Sequence, residues 1–217
     1  MTPCCCRSAA CPGTDRFFSR WSRWYARQYR AEGLERIQRK LLRGVKALQK
    51  PAGNALDIGC GVGALHLALL KGGAAMATAV DASEGMLNAA MEFGRKQGVG
   101  DRVTYIHGDF VHAADAIAEA DITLMDKVVC CYEDVAGLID ASAAKTRRIL
   151  ALTHPRDNLV GGLMFRTGIL LAKLFRSSFY PFWHDWQAMR ERLATKGFRL
   201  VHEDSTPFWQ ALVFERQ

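Results

Sequence analysis

The chain has 217 residues, 49% of them apolar, with a formal net charge of +7; a sequence this long and this apolar buries a substantial core, and one structural domain is expected. Its seven cysteines are odd in number and adjacent in two places, which excludes the paired framework of a small secreted disulfide protein. No window joins a charged head, an apolar stretch and a small-residue cleavage site, so no secretory signal is expected, and a reducing, cytoplasmic setting is.

The first 50 residues hold 12 Lys and Arg against 3 Asp and Glu, a balance of +9 that leaves the remainder slightly acidic. From Phe17 to Gln49, apolar side chains at Phe18, Trp21, Tyr25 and Tyr29, then at Leu34, Ile37, Leu41, Val45 and Leu48, recur every three or four positions, as on a helix with one buried face. Gly33 divides the run in two. Residues 1–50 thus read as a basic tail and lid helices, with the charge on a solvated helix face. Charge of this sign can attract nucleic acid, anionic lipid or an acidic substrate, but no specific nucleic-acid partner is expected. A transit peptide fits less well, because the apolar periodicity runs on into the next element. Cys4, Cys5, Cys6 and Cys11, in "CCCRSAAC", can hold a thiophilic metal or metalloid. They lack the paired C-x-x-C spacing of a zinc site, so an ordinary chain terminus is the plainer reading and no metal is assigned.

"KPAGN" at 50–54 is a turn, and "ALDIG" after it is short and apolar enough for a buried strand, with a helix over 62–72. The alternation repeats. "MATAVDAS" predicts a strand ending at Asp81, and Ser83 is the N-cap of the helix after it. "RVTYIHGDF" predicts a strand ending near Asp109 and "ADITLMD" one ending at Asp126; a helix over 134–147 and a fifth strand, "RRILALTHP", follow. This order predicts an α/β, doubly wound, mostly parallel sheet with helices on both faces. Beyond Pro155, "LVGGLMFRTGILLAKLF" is strongly apolar but interrupted by Gly161, Gly162, Arg166 and Lys173. It falls short of a membrane span and reads as a helical cap inserted at about 158–184, with a peripheral membrane contact through 159–183 as a second reading. A helix near 184–196 and two strands, "GFRLVHEDS" and "FWQALVFER", close the 51–217 domain as an antiparallel pair.

The D-x-G-x-G-x-G loop at Asp57, Gly59, Gly61 and Gly63 joins the first strand to its helix. Backbone N–H groups there face a ligand that a side chain would keep away. It is not the G-x-G-x-x-G of a nicotinamide site. Asp81 lies 24 residues after Asp57, where a carboxylate at the end of a second strand can accept from both hydroxyls of a ribose. Asp109 ends the third strand and can take an adenine amine with Phe110 beside the ring; Asp126 ends the fourth, and Ala82 and Met86 border the same crevice. All these strand ends converge on one ligand.

In order and spacing, "LDIGCGVG", "AVDAS", "HGDF" and "ADITLMD" resemble the successive motifs of the class I (Rossmann-like) S-adenosylmethionine (SAM)-dependent methyltransferases of the small-molecule type, across residues 53–157. The resemblance implies a seven-stranded sheet with its last strand antiparallel, and SAM as cofactor. It places Gly59 and Gly61 near the methionine part of SAM, Asp81 on the ribose and Asp109 on the adenine. "FFSRWSRWYARQY" is similar to the N-terminal helix that folds over the cofactor in small-molecule methyltransferases. "DKVVCCYED" and "THPRD" are similar to a group likened to magnesium-protoporphyrin O-methyltransferases.

The acceptor is left open between a thiol or chalcogen compound and a carboxylate or hydroxyl on a larger ring. The loop after the fourth strand lacks the [DN]-P-P-[YF] tetrad of amide and amino nitrogen methylation. It also lacks a Pro-Cys pair, so Cys130 and Cys131 are not assigned as nucleophiles and read as small apolar wall residues. Trp21, Tyr25, Tyr29, Cys130, Cys131 and Tyr132 are the candidate acceptor pocket. His107, Tyr132 and His154 are candidate bases, needed only if the acceptor arrives protonated. The alternative function is a metal- or metalloid-binding protein that uses the N-terminal cysteines and SAM as a regulator.

Overall fold

The computed structural model describes residues 12–48, 53–174, 177, 179 and 181–217. The "KPAGN" turn and the cysteines at 4, 5, 6 and 11 lie wholly or largely outside them. Seven strands, β1 (Ala55–Ile58), β2 (Ala77–Asp81), β3 (Val103–His107), β4 (Ala120–Met125), β5 (Thr146–Pro155), β6 (Phe198–Ser205) and β7 (Trp209–Arg216), form one sheet in the order β3-β2-β1-β4-β5-β7-β6. Strands β1 to β5 pair in parallel, while β7 runs antiparallel to both β5 and β6. The sheet is therefore mixed, and the parallel expectation holds only for its first five strands. The cause is local: only Thr206 to Phe208 separate β6 from β7, and a parallel return needs a crossover of a dozen or more residues.

The helices are α1 (Pro12–Glu32), α2 (Arg36–Ala47), α3 (Ala64–Lys71), α4 (Glu84–Lys96), α5 (Phe110–Ala113), α6 (Val135–Ala144), α7 (Leu159–Leu174) and α8 (Trp186–Thr195). Strand side chains alternate between two apolar layers, as the period of two requires. Ile149, Ala151, Ala211 and Val213 pack with Ile37 and Leu41 of α2 and with α3 and α4. In the other, lower layer Leu150, Leu152, Leu212 and Phe214 pack with Leu138 of α6 and with Trp186 and Leu193 of α8. Among the described residues, no helix is long and apolar enough to cross a membrane.

The chain breaks between α1 and α2 at Gly33, whose φ of 68° is in the left-handed region open to glycine. Helix α1 then lies against α4 through a polar contact. Ser19 Oγ is 2.8 Å from both Asp15 Oδ1 and Ser83 Oγ and accepts from the Gly85 N–H at 3.0 Å. Ser83 meanwhile caps α4 as expected, accepting from Met86 N at 3.3 Å. Because Phe214 is 1% exposed within the lower apolar layer, Phe214→Ala should cost about 3–5 kcal/mol, read as a lowered urea midpoint with unchanged slope.

Candidate active site

The carboxyl ends of β1, β2 and β4 open onto a cavity of about 420 Å³, roofed by α1. The β1–α3 loop forms its floor. Gly59 and Gly61 have φ of 63° and 53°, and a β-carbon on Gly59 would collide with the Val128 side chain. Asp81 closes the loop from the next strand: Oδ2 accepts from Gly61 N and Oδ1 from Ser83 N, each at 2.8 Å. Each oxygen keeps acceptor capacity for a ligand. Burial pushes this carboxyl up to about 6, against the pull of the two N–H groups. Ala82 and Met86 line the same wall.

Asp57 also lines the cavity, but its Oδ2 is engaged by the Nδ1 of buried His66 at 2.8 Å and by the His66 N–H at 3.3 Å. Asp109 follows the end of β3 by two residues and caps α5, accepting from Val111 N at 2.9 Å and from the Tyr132 hydroxyl through Oδ1. Its Oδ2 is buried and makes no hydrogen bond within the protein, having only His112 Nδ1 as an ion-pair neighbour at 3.1 Å. Asp109 does not itself line the cavity; it is linked to the wall through Tyr132, which does.

The opposite wall is built by the loop after β4. Lys127 has a φ of 61°, the only positive value on a non-glycine among the described residues. A closed ring of bonds holds it there. Lys127 N donates to Thr153 Oγ1 at 2.8 Å, Thr153 Oγ1 to Asp126 Oδ1 at 2.6 Å, and Gln38 Nε2 to Asp126 Oδ2 at 2.8 Å. Gln38 Oε1 accepts from Glu35 N at 2.9 Å, and the Glu35 carboxylate returns to Lys127 Nζ at 2.6 Å. Burial works against the ammonium, but Asp126 and Glu35 outweigh it and raise the Lys127 pKa. Lys127 is the one basic side chain among the described residues lining the cavity, and its Nζ stands 5.5 Å from the centre of the Trp209 ring.

Tyr25, Tyr29, Cys130, Cys131 and Tyr132 are brought to the cavity, with Phe17, Phe18, Phe165 and Phe179 beside them. Both cysteine thiols donate to the Lys127 carbonyl, at 3.4 and 3.2 Å. The Cys130 thiol and burial keep Cys131 protonated well above the ordinary value; burial raises Cys60 and Tyr25 in the same direction.

Several expected positions lie elsewhere. Trp21 shares the helix face of Phe18 and Tyr25 by spacing but is 45% exposed and does not line the cavity. Gly63 caps α3 with a φ of 87°, and Phe110 belongs to the lower apolar layer; neither lines the cavity. His107 is exposed and bonds the Ala82 carbonyl at 3.1 Å. His154 is buried against Trp186, its Nδ1 2.7 Å from the Pro155 carbonyl, and burial lowers it to about 4. Among the described residues no three His, Cys, Asp or Glu gather as a metal site. Sequence reasoning missed His66, Glu35, Gln38, Lys127, Thr153 and Trp209. Only the charge of Lys127 in a strand-end loop offered a signal.

A glycine loop turned between two strand-end acids, over a seven-stranded sheet with an antiparallel end, is what the resemblance to the class I methyltransferases implied. Residues 55–151 match the family model described as a methyltransferase domain, and the chain carries such a domain, of the SAM-dependent class. Magnesium protoporphyrin IX methyltransferase from Synechocystis PCC 6803 with bound SAH superposes with a TM-score of 0.69 at 22% identity, over 94% of this chain and 98% of that one. The same enzyme with bound SAM gives 0.66 at 20% identity, over 94% and 95%. An N-methyltransferase from Bradyrhizobium japonicum WM9 with bound SAH gives 0.63 at 16% identity, over 82% and 85%. At these identities the likeness is one of fold. No curated protein sequence matches the chain.

The His154 shift generates a test by its sign. Its folded pKa lies below the unfolded value of 6.5, so its contribution to stability is complete above pH 6.5 and is lost as pH falls toward 4. Wild type should lose about 1.4 kcal/mol per pH unit across that window from this group, and His154→Phe should flatten the slope in urea titrations.

Proposed function

We propose that this methyltransferase acts on an anionic or uncharged small molecule, and that a carboxylate on a ring compound suits the cavity best. SAM, when bound, supplies a methyl group already activated on a sulfonium, so the protein's task is to align the acceptor and exclude water. Gly59, Gly61 and Asp81 are assigned to the cofactor's methionine and ribose parts, and Asp109 Oδ2 to its adenine amine. The buried Asp109 Oδ2, which makes no hydrogen bond within the protein and has only His112 as an ion-pair neighbour, and the Cβ-free approach at Gly59 support that fit.

The acceptor side carries the choice. Its walls are mainly aromatic, and Lys127, the one cation among the described lining residues, is paired with Glu35 and lies beside Asp126; an anion on a flat apolar body fits there by taking over the place of the Glu35 carboxylate. The Cys60 and Cys131 thiols and the Tyr25 hydroxyl are held protonated, and His107 and His154 stand off the wall. The site thus presents no poised imidazole base. A carboxylate arrives ionised and needs none, whereas a hydroxyl does. Tyr132 acts as a positioning residue, its hydroxyl given to Asp109. Helix α1 and its segment 1–50 serve as the lid over 51–217, and residues 158–184 as the cap.

Asp81→Ala should weaken SAM binding severely in calorimetry, and Asp109→Ala less so, since other contacts to adenine remain. With Asp81 titrating at about 6, the wild-type affinity should fall about tenfold per pH unit below that point, because only the ionised carboxylate accepts from two hydroxyls. Asp81→Asn should bind weakly with no such dependence. A pH-independent wild-type affinity would remove Asp81 from the ribose.

The acceptor reading is tested by SAM consumption over a panel of aromatic and tetrapyrrole carboxylates, their amides and small thiols. Lys127→Met should raise KM for the carboxylates about tenfold or more and leave SAM affinity within about twofold. Turnover confined to thiols would discard the carboxylate reading. Deleting residues 1–30 should abolish turnover while retaining part of the SAM affinity.

A further inference from the structure

Two helices that border the cavity carry exposed outer faces of different character. On α1, Arg16, Arg20, Arg23 and Arg27 follow one another at steps of four, three and four residues, all exposed, and Arg30 continues the row while sharing Glu92 at 3.8 Å. Such steps put them on one stripe of the helix. Trp24 stands at the border of that stripe and Trp21 further round the helix, 51% and 45% exposed. On α7 the outward stripe is mainly apolar instead, with exposed Arg166 at its edge. Leu163, Leu170 and Leu174, at steps of seven and four, are 68%, 66% and 70% exposed. The inward side of α7 carries Gly161, Phe165, Gly168 and Ala172 and faces a second apolar groove, of about 510 Å³.

That groove is continuous with the reaction cavity. Phe17 of α1, Phe165 of α7, Phe179, Pro181 and Trp209 line both. Its outer rim is formed by Leu171 and Phe208, themselves 47% and 42% exposed.

We propose that α1 and α7 form a docking face for an anionic lipid bilayer, and that the groove beside them admits the acceptor from the lipid. Arginine on one face, tryptophan at its border and leucine on a neighbouring helix are the three elements of an interfacial contact: phosphate attraction, headgroup-level anchoring and shallow insertion of apolar side chains. The occupant follows from this combination. A nucleic acid would use the arginines and leave the leucines in water. A protein groove-binder would not call for a row of cations beside an apolar stripe lacking any acid. Admission of the acceptor through the groove rests on the proposed reaction; the docking itself does not.

The experiment uses the full chain with vesicles of phosphatidylcholine alone or containing about 30 mol% phosphatidylglycerol, in a sedimentation assay without acceptor. Partition into the anionic vesicles should exceed that into the neutral ones at least tenfold. It should fall about tenfold in Leu163→Glu/Leu170→Glu/Leu174→Glu and in Arg16→Glu/Arg20→Glu/Arg23→Glu, with SAM affinity kept as the sign of an intact fold. If the leucine variant loses SAM binding, the wild-type chain still decides. Brominated acyl chains should quench its tryptophan emission, and quenching should drop in Trp21→Phe/Trp24→Phe. Equal binding to neutral and anionic vesicles, full binding by an intact leucine variant, or absence of quenching overturns the proposal. So does displacement from vesicles by stoichiometric RNA at physiological salt, which would make the arginine row a nucleic-acid surface. Since no turnover is read, failure here leaves the methyltransferase reading standing.

Discussion

The ring of bonds through Glu35, Gln38, Asp126, Thr153 and Lys127 fastens three separate parts of the chain at one point. Helix α2 supplies the first two residues, the loop after β4 supplies Asp126 and Lys127, and β5 supplies Thr153. Each polar group in it answers another, which is the condition under which buried polar side chains rigidify a site instead of weakening it. The cavity wall after β4 has its shape because of this ring. Gly33 lies two residues before Glu35 in the chain, so the break that lets α1 fold back over the cavity is anchored by the same ring.

A second polar contact holds the other end of the roof. Ser19 meets Ser83, and Ser83 N donates to Asp81. The proposed lid and the proposed ribose acceptor are thus one hydrogen-bonded residue apart. A shift of α1 would be felt at Asp81 without any intervening repacking of the core, which is a short physical route for closure to be coupled to cofactor binding.

The fold was legible in the sequence because its signals are local. Runs such as "RRILALTHP" and "ALDIG" are apolar and short, Ser83 caps where a polar side chain must meet free N–H groups, and the glycine loop announces a tight approach. The antiparallel end of the sheet could be read from the closeness of its last two strands. The candidate site was legible only where it lies at strand ends. Trp21 was misplaced because a three-to-four-residue step does not say which of several aromatics on a helix turns inward. His154 ends its strand facing Trp186 in the apolar layer rather than the crevice, a matter of register that a single sequence leaves open. The ring through Lys127 escaped notice because its members are as much as 118 positions apart, between Glu35 and Thr153, and only tertiary folding brings them together.

Lys127 occupies a backbone conformation that costs most side chains on the order of 1 kcal/mol or more, and that glycine adopts freely. The position is therefore contested between foldability and chemistry. A glycine there would relax the backbone, but it would open the ring, leave the Glu35 carboxylate without its partner and shed the one cation on the described cavity wall. A chain under selection for turnover would instead keep the strained lysine and recover the loss elsewhere, as in the tightly packed layers on either face of the sheet.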